Sequence, residues 1–345
     1  MPLALARFAA AALVAPLALG CSDGDDATQS GPSTSTGAGA GPSSAQASSG
    51  SGSGSAASSS SSGSGAGGGF TLEVHTELDA SPGLVLRVNL PIDVADCVGV
   101  PGDPPCADLD GDGLTDAWED AALDRLRPIL RFDEDESLID DPSIVLGDVG
   151  RVAPAGDLVH VFIMLGYSVD YGSCGGFTSH NGDSERVALE LVRLDDGRTG
   201  DVRVRRAYTA AHEGTANDHG HVFADAELTS LVHDLDASTG EPRWVVFPSA
   251  DKHGTYGTVE RCEAVSVIPC FDEDCGPDGV ADPALYDRLP PYVNAGEETM
   301  PLVTDLAVIG FPGDDAWAAQ DFCGGLGGSS CSDDVRNKLL NDPFP

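Results

Sequence analysis

Apolar and polar residues alternate over several stretches of the chain. LVLRVNL (84–90), LVHVFIMLGY (158–167), RVALELVRL (186–194), DVRVRRAY (201–208) and RWVVF (243–247) each follow a two-residue period. That spacing sends every second side chain to one face of a strand. Clusters of Gly, Asp and Pro between these runs read as turns. Helical spacing is confined to short pieces. Trp118, Ala122 and Leu126 recur at i, i+4 and i+8, which predicts a helix over 115–127 that Pro128 ends. A second short helix is expected near 282–288. Many strands joined by turn-rich links predict a mainly β chain, a β-sandwich with a few short helices.

The first residues follow neither pattern. Arg7 precedes an apolar run from Phe8 to Leu19, which ends Ala18-Leu19-Gly20-Cys21. The run is too short for a permanent membrane span and reads as a signal peptide over 1–20. A cysteine just after a small residue resembles the lipobox of bacterial lipoproteins, with Leu17 one place further out than usual. The alternative is ordinary cleavage that leaves Cys21 without a role. Lipid on Cys21 implies attachment to a membrane rather than a span through it. Ser22 in the next position, in place of Asp, implies the outer membrane of a bacterial cell envelope. Residues 21–69, rich in Ser, Gly, Ala and Thr, cannot bury enough apolar surface to offset chain entropy. They are expected to form a flexible tether with a reach of about 35–40 Å. No second linker divides 70–345, so a single β-rich domain is expected there.

Charge narrows the partners. The chain carries 56 acidic and 18 basic residues, a formal net charge of −38. Repulsion of this size works against compaction, and bound divalent cations or salt relieve it. No basic patch stands out to neutralise phosphates, so nucleic acid is excluded as a partner. Cys97, Cys106, Cys174, Cys262, Cys270, Cys275, Cys323 and Cys331 remain once Cys21 is set aside. In an exported chain they are disulfide candidates. Cys97–Cys106 and Cys323–Cys331 are each close enough in sequence to close a small loop. Cys174 is then left to pair with one of Cys262, Cys270 and Cys275. Zinc held by the last three is the weaker alternative, since their spacing fits no strong zinc pattern.

The most specific motif is DLDGDGLTDAWE, residues 108–119. A twelve-residue calcium loop takes side-chain oxygens from positions 1, 3, 5, 9 and 12, a carbonyl from 7, and Gly at 6. Asp108, Asp110, Asp112, Gly113, Leu114, Asp116 and Glu119 fill those places in order. Hard carboxylate oxygens point to Ca²⁺. Pro101, Pro104 and Pro105 exclude an entering helix, so a paired EF-hand is not expected. The stretch resembles the lone acidic loops of exported bacterial proteins, dockerin-like in spacing. A solvated acidic turn without metal is the alternative.

Several fragments resemble one family. They are RPILRFDEDES (127–137), YSVDYG (167–172), HNGDSERVALEL from His180, WVVFPSADKHGTYGTVERC to Cys262, NAGE (294–297) and FPGDDAWAAQDFCGG (311–325). Their order is similar to the vacuolar protein sorting-associated protein 62 family and its bacterial relatives, over about 126–325. Its strongest signals are His180, Gly182, Asp183 and Glu185, and Lys252, His253, Gly254 and Tyr256. The family has Trp where this chain has Ser184. A weaker likeness, to the necrosis-inducing cytolysins, implies that His180, Asp183 and Glu185 hold a divalent cation on a β-sandwich. Asp183 and Glu185 share a strand face, His180 would reach that face from the preceding turn, and His253 would join from a second strand end. The structural alternative has His180 and Asp183 bonding within a turn, and Glu185 pairing with Arg205 or Arg206. HEGTANDHGH (212–221) has Ala216 where a zinc-peptidase motif needs its second histidine. His219 and His221 are expected in a polar loop.

Two functions are compatible with these signals. One is a surface-anchored, Ca²⁺-binding lipoprotein that binds a glycan, lipid or protein ligand. The other is a hydrolase dependent on a second divalent cation at His180, Asp183, Glu185 and His253, with metal-bound water as nucleophile. No catalytic residue is assigned.

Overall fold

The structure is a computed structural model. It describes residues 72–79, 83–97, 104–137, 146–172, 176, 179–195, 200–213, 218–265, 272–276, 294, 322–324, 330–332 and 335–344. The signal peptide, Cys21, the tether, the helix expected near 282–288, and Cys174 and Cys270 lie outside these residues. Among the described residues no helix is long and apolar enough to cross a membrane.

Thirteen strands follow in chain order among the described residues. They are β1 (Val74–Leu78), β2 (Leu84–Val88), β3 (Ile129–Leu130), β4 (Leu146–Ala155), β5 (Leu158–Asp170), β6 (His180–Arg193), β7 (Val202–Thr209), β8 (His221–Ala224), β9 (His233–Leu235), β10 (Pro242–Pro248), β11 (Thr255–Tyr256), β12 (Phe322–Gly324) and β13 (Ser330–Ser332). Helices are few and short: α1 (Asp116–Leu126), α2 (Val259–Glu263) and α3 (Val335–Leu340). The expected mainly β class holds. The alternating runs that predicted strands became β2, β5, β6, β7 and β10, with ends shifted by a few residues.

The large sheet runs β1-β2-β7-β6-β5-β4, with β8 paired to β7. All its pairings are antiparallel. A smaller mixed sheet runs β11-β10-β3, with β9 on β10, and β3 lies parallel to β10. The inward residues of the large sheet form one apolar layer: Leu84, Leu86 and Val88 from β2, Val159 to Leu165 at alternate positions from β5, and Val187, Leu189 and Leu191 from β6. Trp118, Leu123 and Leu126 of α1 and Trp244 and Val246 of β10 cover it. Both indoles are fully satisfied: Trp118 donates to the Gly200 carbonyl at 2.8 Å and Trp244 to the Leu126 carbonyl at 2.6 Å. Losing either ring would cost about 3–5 kcal/mol.

Two disulfides join described residues. Cys97–Cys106 closes the small loop expected from its spacing. Cys262 pairs with Cys275. Of the three partners open to Cys174 this leaves Cys270, and a Cys262–Cys270–Cys275 zinc site loses two of its thiolates. The backbone register of β12 and β13 makes Cys323 and Cys331 direct cross-strand neighbours.

Candidate metal centres

The acidic loop is built from local rules. Asp108 accepts from the Gly111 and Gly113 amides at 2.8 and 3.2 Å. Asp110 accepts from Asp112 N and Asp112 from Leu114 N. Asp116 accepts from Leu109 N at 3.0 Å. Gly113 turns the chain at φ +99°, a conformation that a side chain disfavours. Leu114 forms an antiparallel bridge with Asp93. Val94 N donates to Gly113 O and Thr115 N to Ile92 O, so this short strand-like segment braces the loop where a paired EF-hand would place a second loop. α1 begins at Asp116 and brings Glu119 into its first turn.

These bonds converge the carboxylates. One oxygen each from Asp108, Asp110 and Asp112 lies within 4.8 Å of the others. Glu119 is 1% exposed, and its Oε1 has no hydrogen-bond partner. Burial, then the charges of Asp112, Asp110 and Asp116, push its carboxyl up to about 9. Burial and the Asp112 charge raise Asp110 to about 6, and burial raises Asp112. The donors are all oxygens, they repel one another, and one buried oxygen is unsatisfied. This is the environment that a hard dication would relieve.

The second group lies where β5 and β6 leave the apolar layer. The register sets Tyr167 opposite Asp183, and Asp170 opposite His180. Residues three apart on a regular strand face opposite ways. Gly182, at φ +73°, breaks the alternation in β6, so His180 and Asp183 converge. Ligand atoms of Asp170, His180 and Asp183 then lie within 4.8 Å of one another. His180 is the first residue of β6 rather than part of a preceding turn. Its Nδ1 donates to Gly182 O at 2.6 Å, and its Nε2 stands 3.2 Å from Asp170 Oδ2. A histidine with one ring nitrogen fixed on a carbonyl presents the other to a cation or a proton. Burial lowers its affinity for a proton, but Asp170 and Asp183 outweigh burial and raise its pKa.

His253 lies beside this group. It is fully buried, and its ring stacks on Tyr167 at 4.0 Å between centroids. Nδ1 lies 3.5 Å from Asp183 Oδ2, and Nε2 lies 3.6 Å from Glu136 Oε1. Burial disfavours its charge, yet Glu136 and Asp183 raise its pKa to about 10. Burial would raise Asp183, but His253, His180 and Lys338 hold it down near 2. Glu185, two residues along β6, contributes no atom to the group. It accepts from His212 N at 2.9 Å and lies 3.9 Å from Lys338 Nζ. Burial, then Asp183, raises it to about 7 against the pull of Lys338 and His212. Arg205 and Arg206 pair with Glu190 instead, which corrects the expected arginine partners of Glu185.

The loops around the group are strained. Among the described residues, His212, Asp251 and His253 are three of the four residues other than Gly with positive φ. Such backbone costs about 1–3 kcal/mol per residue and gathers at functional sites. Asp251 N donates to Glu136 Oε2, and Asp251 Oδ1 accepts from Ser137 N, so 133–137 clasps the His253 loop. Sequence reasoning missed Asp170, Glu136, Glu273 and Lys338. The first two stand inside the family-like fragments YSVDYG and RPILRFDEDES. His221 opens β8 rather than lying in a polar loop, and its ring lies against Glu227 and Arg261. A small recess lined by residues such as Leu84, Leu189, Leu231 and Trp244 is apolar and shares no residue with either centre.

No protein-family model, curated protein or solved structure matches the chain.

Proposed function

We propose that the chain is an envelope lipoprotein, anchored to the outer membrane through lipid on Cys21, whose β domain is organised by one Ca²⁺ at 108–119. In this reading a tether over 21–69 holds the domain away from the bilayer. A glycan, lipid or protein ligand would dock at the sheet end formed by the start of β6 (180–185) and by 252–256. The fragments that resemble the vacuolar protein sorting-associated protein 62 family contain those same segments. The observation that carries the calcium assignment is Glu119, a buried carboxylate with an unpartnered oxygen beside three converging aspartates. Oxygen-only donors favour Ca²⁺ over softer metals. The test is thermal unfolding of the chain in calcium and in chelator. A free-ion concentration about 1,000 times the dissociation constant stabilises by about 4 kcal/mol. That corresponds to a fall in Tm of roughly 8–16 °C on chelation. An unchanged Tm would overturn the assignment.

A second reading, a metal-dependent hydrolase, is favoured by the Asp170–His180–Asp183 group. There the cation would activate water, and His253 would stabilise developing negative charge. Cation-dependent turnover of ester or phosphoester probes that His180→Ala abolishes would support it. The same low turnover in chelator and in the variant would return the site to a binding role.

A further inference from the structure

Glu185 borders the Asp170–His180–Asp183 group but contributes no atom to it. Strand geometry sends it to the same face as Asp183. Its Oε2 is buried without a hydrogen bond and lies 3.9 Å from the Lys338 ammonium. Lys338 belongs to α3, is 3% exposed, and also donates to the Ser184 carbonyl. The C-terminal segment that carries Lys338 is bound to the sheet largely by polar contacts. Arg186 Nη1 donates to Lys338 O and Asn341 O, each at 2.6 Å. Arg151 Nη1 donates to Leu339 O at 3.2 Å. His160 lies 3.6 Å from Asp342, and the Arg206 guanidinium lies 5.0 Å from the Phe344 ring. Among the described residues of this segment, Leu339 and Phe344 are the buried apolar side chains.

We propose that residues 335–344 are a self-inhibiting strap, in which Lys338 is a tethered counter-ion that withholds Glu185 from a divalent cation at Asp170, His180 and Asp183. Release of the strap frees Glu185 to become the fourth ligand. The proposal rests on reading that group as a cation site. Two arguments support it. The ammonium and a dication at this position repel, and both are attracted by Asp183 and Glu185, so each displaces the other. The strap's hydrogen bonds, although buried, each contribute about 0.5–1.5 kcal/mol net because water takes them over on release, and among its described residues Leu339 and Phe344 leave the interior with it. Coupling of this kind is reciprocal: a strap that weakens the cation is weakened by it.

The test uses the full chain in excess Ca²⁺, which keeps the 108–119 loop filled, with Co²⁺ as the probe ion. Visible absorption reports Co²⁺ on a histidine, and His180→Ala must abolish it. Lys338→Met is expected to bind Co²⁺ about 5- to 150-fold more tightly than the natural chain. Lys338→Arg is expected to retain the natural affinity, and Glu185→Gln should erase the gain of Lys338→Met. In the natural chain, Co²⁺ should speed amide hydrogen exchange over 335–344, a readout that does not depend on a variant folding. Equal Co²⁺ affinity in the natural chain and Lys338→Met, with exchange over 335–344 unmoved, would overturn the strap and leave the site standing. Absence of histidine-bound Co²⁺ in every form would overturn the site, and the strap with it.

Discussion

The two acidic regions solve the same electrostatic problem in opposite ways. In the 108–119 loop, carboxylates converge and are held mainly by backbone amides. Their proton affinities rise, to about 6 at Asp110 and about 9 at Glu119. At the β5–β6 end, buried acids meet cations supplied by the protein itself. His253 lies between Asp183 and Glu136, His212 on Glu273, and Lys338 near Glu185. There Asp183 is held near 2, while burial raises Asp170 and lifts Glu185 to about 7. The loop sets one guanidinium, Arg151, against Asp110, Asp112 and Glu119, so an ion from outside would relieve the charge that remains. The second region supplies its own cations to Asp183, Glu136, Glu273 and Glu185, and would exchange one of them to accept an ion.

The largest effect should come from removing an internal cation. His253→Phe preserves a ring to stack on Tyr167 but leaves Asp183 and Glu136 buried without their imidazolium. The expected loss is about 3–5 kcal/mol, measured by denaturant unfolding. A loss below about 1 kcal/mol would mean that the β5–β6 end does not rely on internal neutralisation.

The loop should respond to pH in the opposite sense to an ordinary carboxylate pair. Glu119 has a folded pKa raised to about 9 from the ordinary 4.5, so the folded state binds the extra proton between those values. In chelator, stability should therefore fall as pH rises from 4.5 towards 9, with a slope of at most about 1.4 kcal/mol per unit. Glu119→Gln should flatten that slope in chelator and weaken calcium binding. A slope that persists unchanged in Glu119→Gln would assign it to another group.

A smaller effect separates the second region from the first. Glu273 raises His212 to about 9, outweighing burial. For a base with a raised folded pKa, the contribution is complete below the unfolded value near 6.5 and is lost as pH climbs through 9. Glu273→Gln should remove that alkaline loss while lowering Tm at pH 6 by about 2–4 °C. Retention of the full alkaline transition in Glu273→Gln would dissolve the pair.

These two regions also differ in how far the sequence exposed them. The loop is legible because its donors are local. Positions 108 to 119 fix turn, Gly placement and helix start without help from the rest of the chain. The long strands were legible for the same reason, since period two is a local property of LVHVFIML and RVALELV. β4 was not, because LGDVGRVAPA carries Gly, Asp, Arg and Pro along an edge strand with little apolar alternation. In the second region His180, Asp183 and His253 were legible by residue type, and Asp183 does meet both histidines. Asp170 was not, because its position opposite His180 is set by the β5–β6 register. Lys338 lies 153 residues from Glu185 in the chain and reaches it only through docking of α3. The convergence of His180 and Asp183 depends on the positive φ of Gly182, which strand alternation alone would have ruled out.

The most direct measurement is calorimetric titration of Ca²⁺ into the demetallated full chain, repeated on Asp112→Ala. The account predicts one saturable site in the natural chain, accompanied by proton release at neutral pH as Glu119 ionises, and no such site in the variant. Absence of saturable heat in the natural chain, or equal binding by Asp112→Ala, would contradict it.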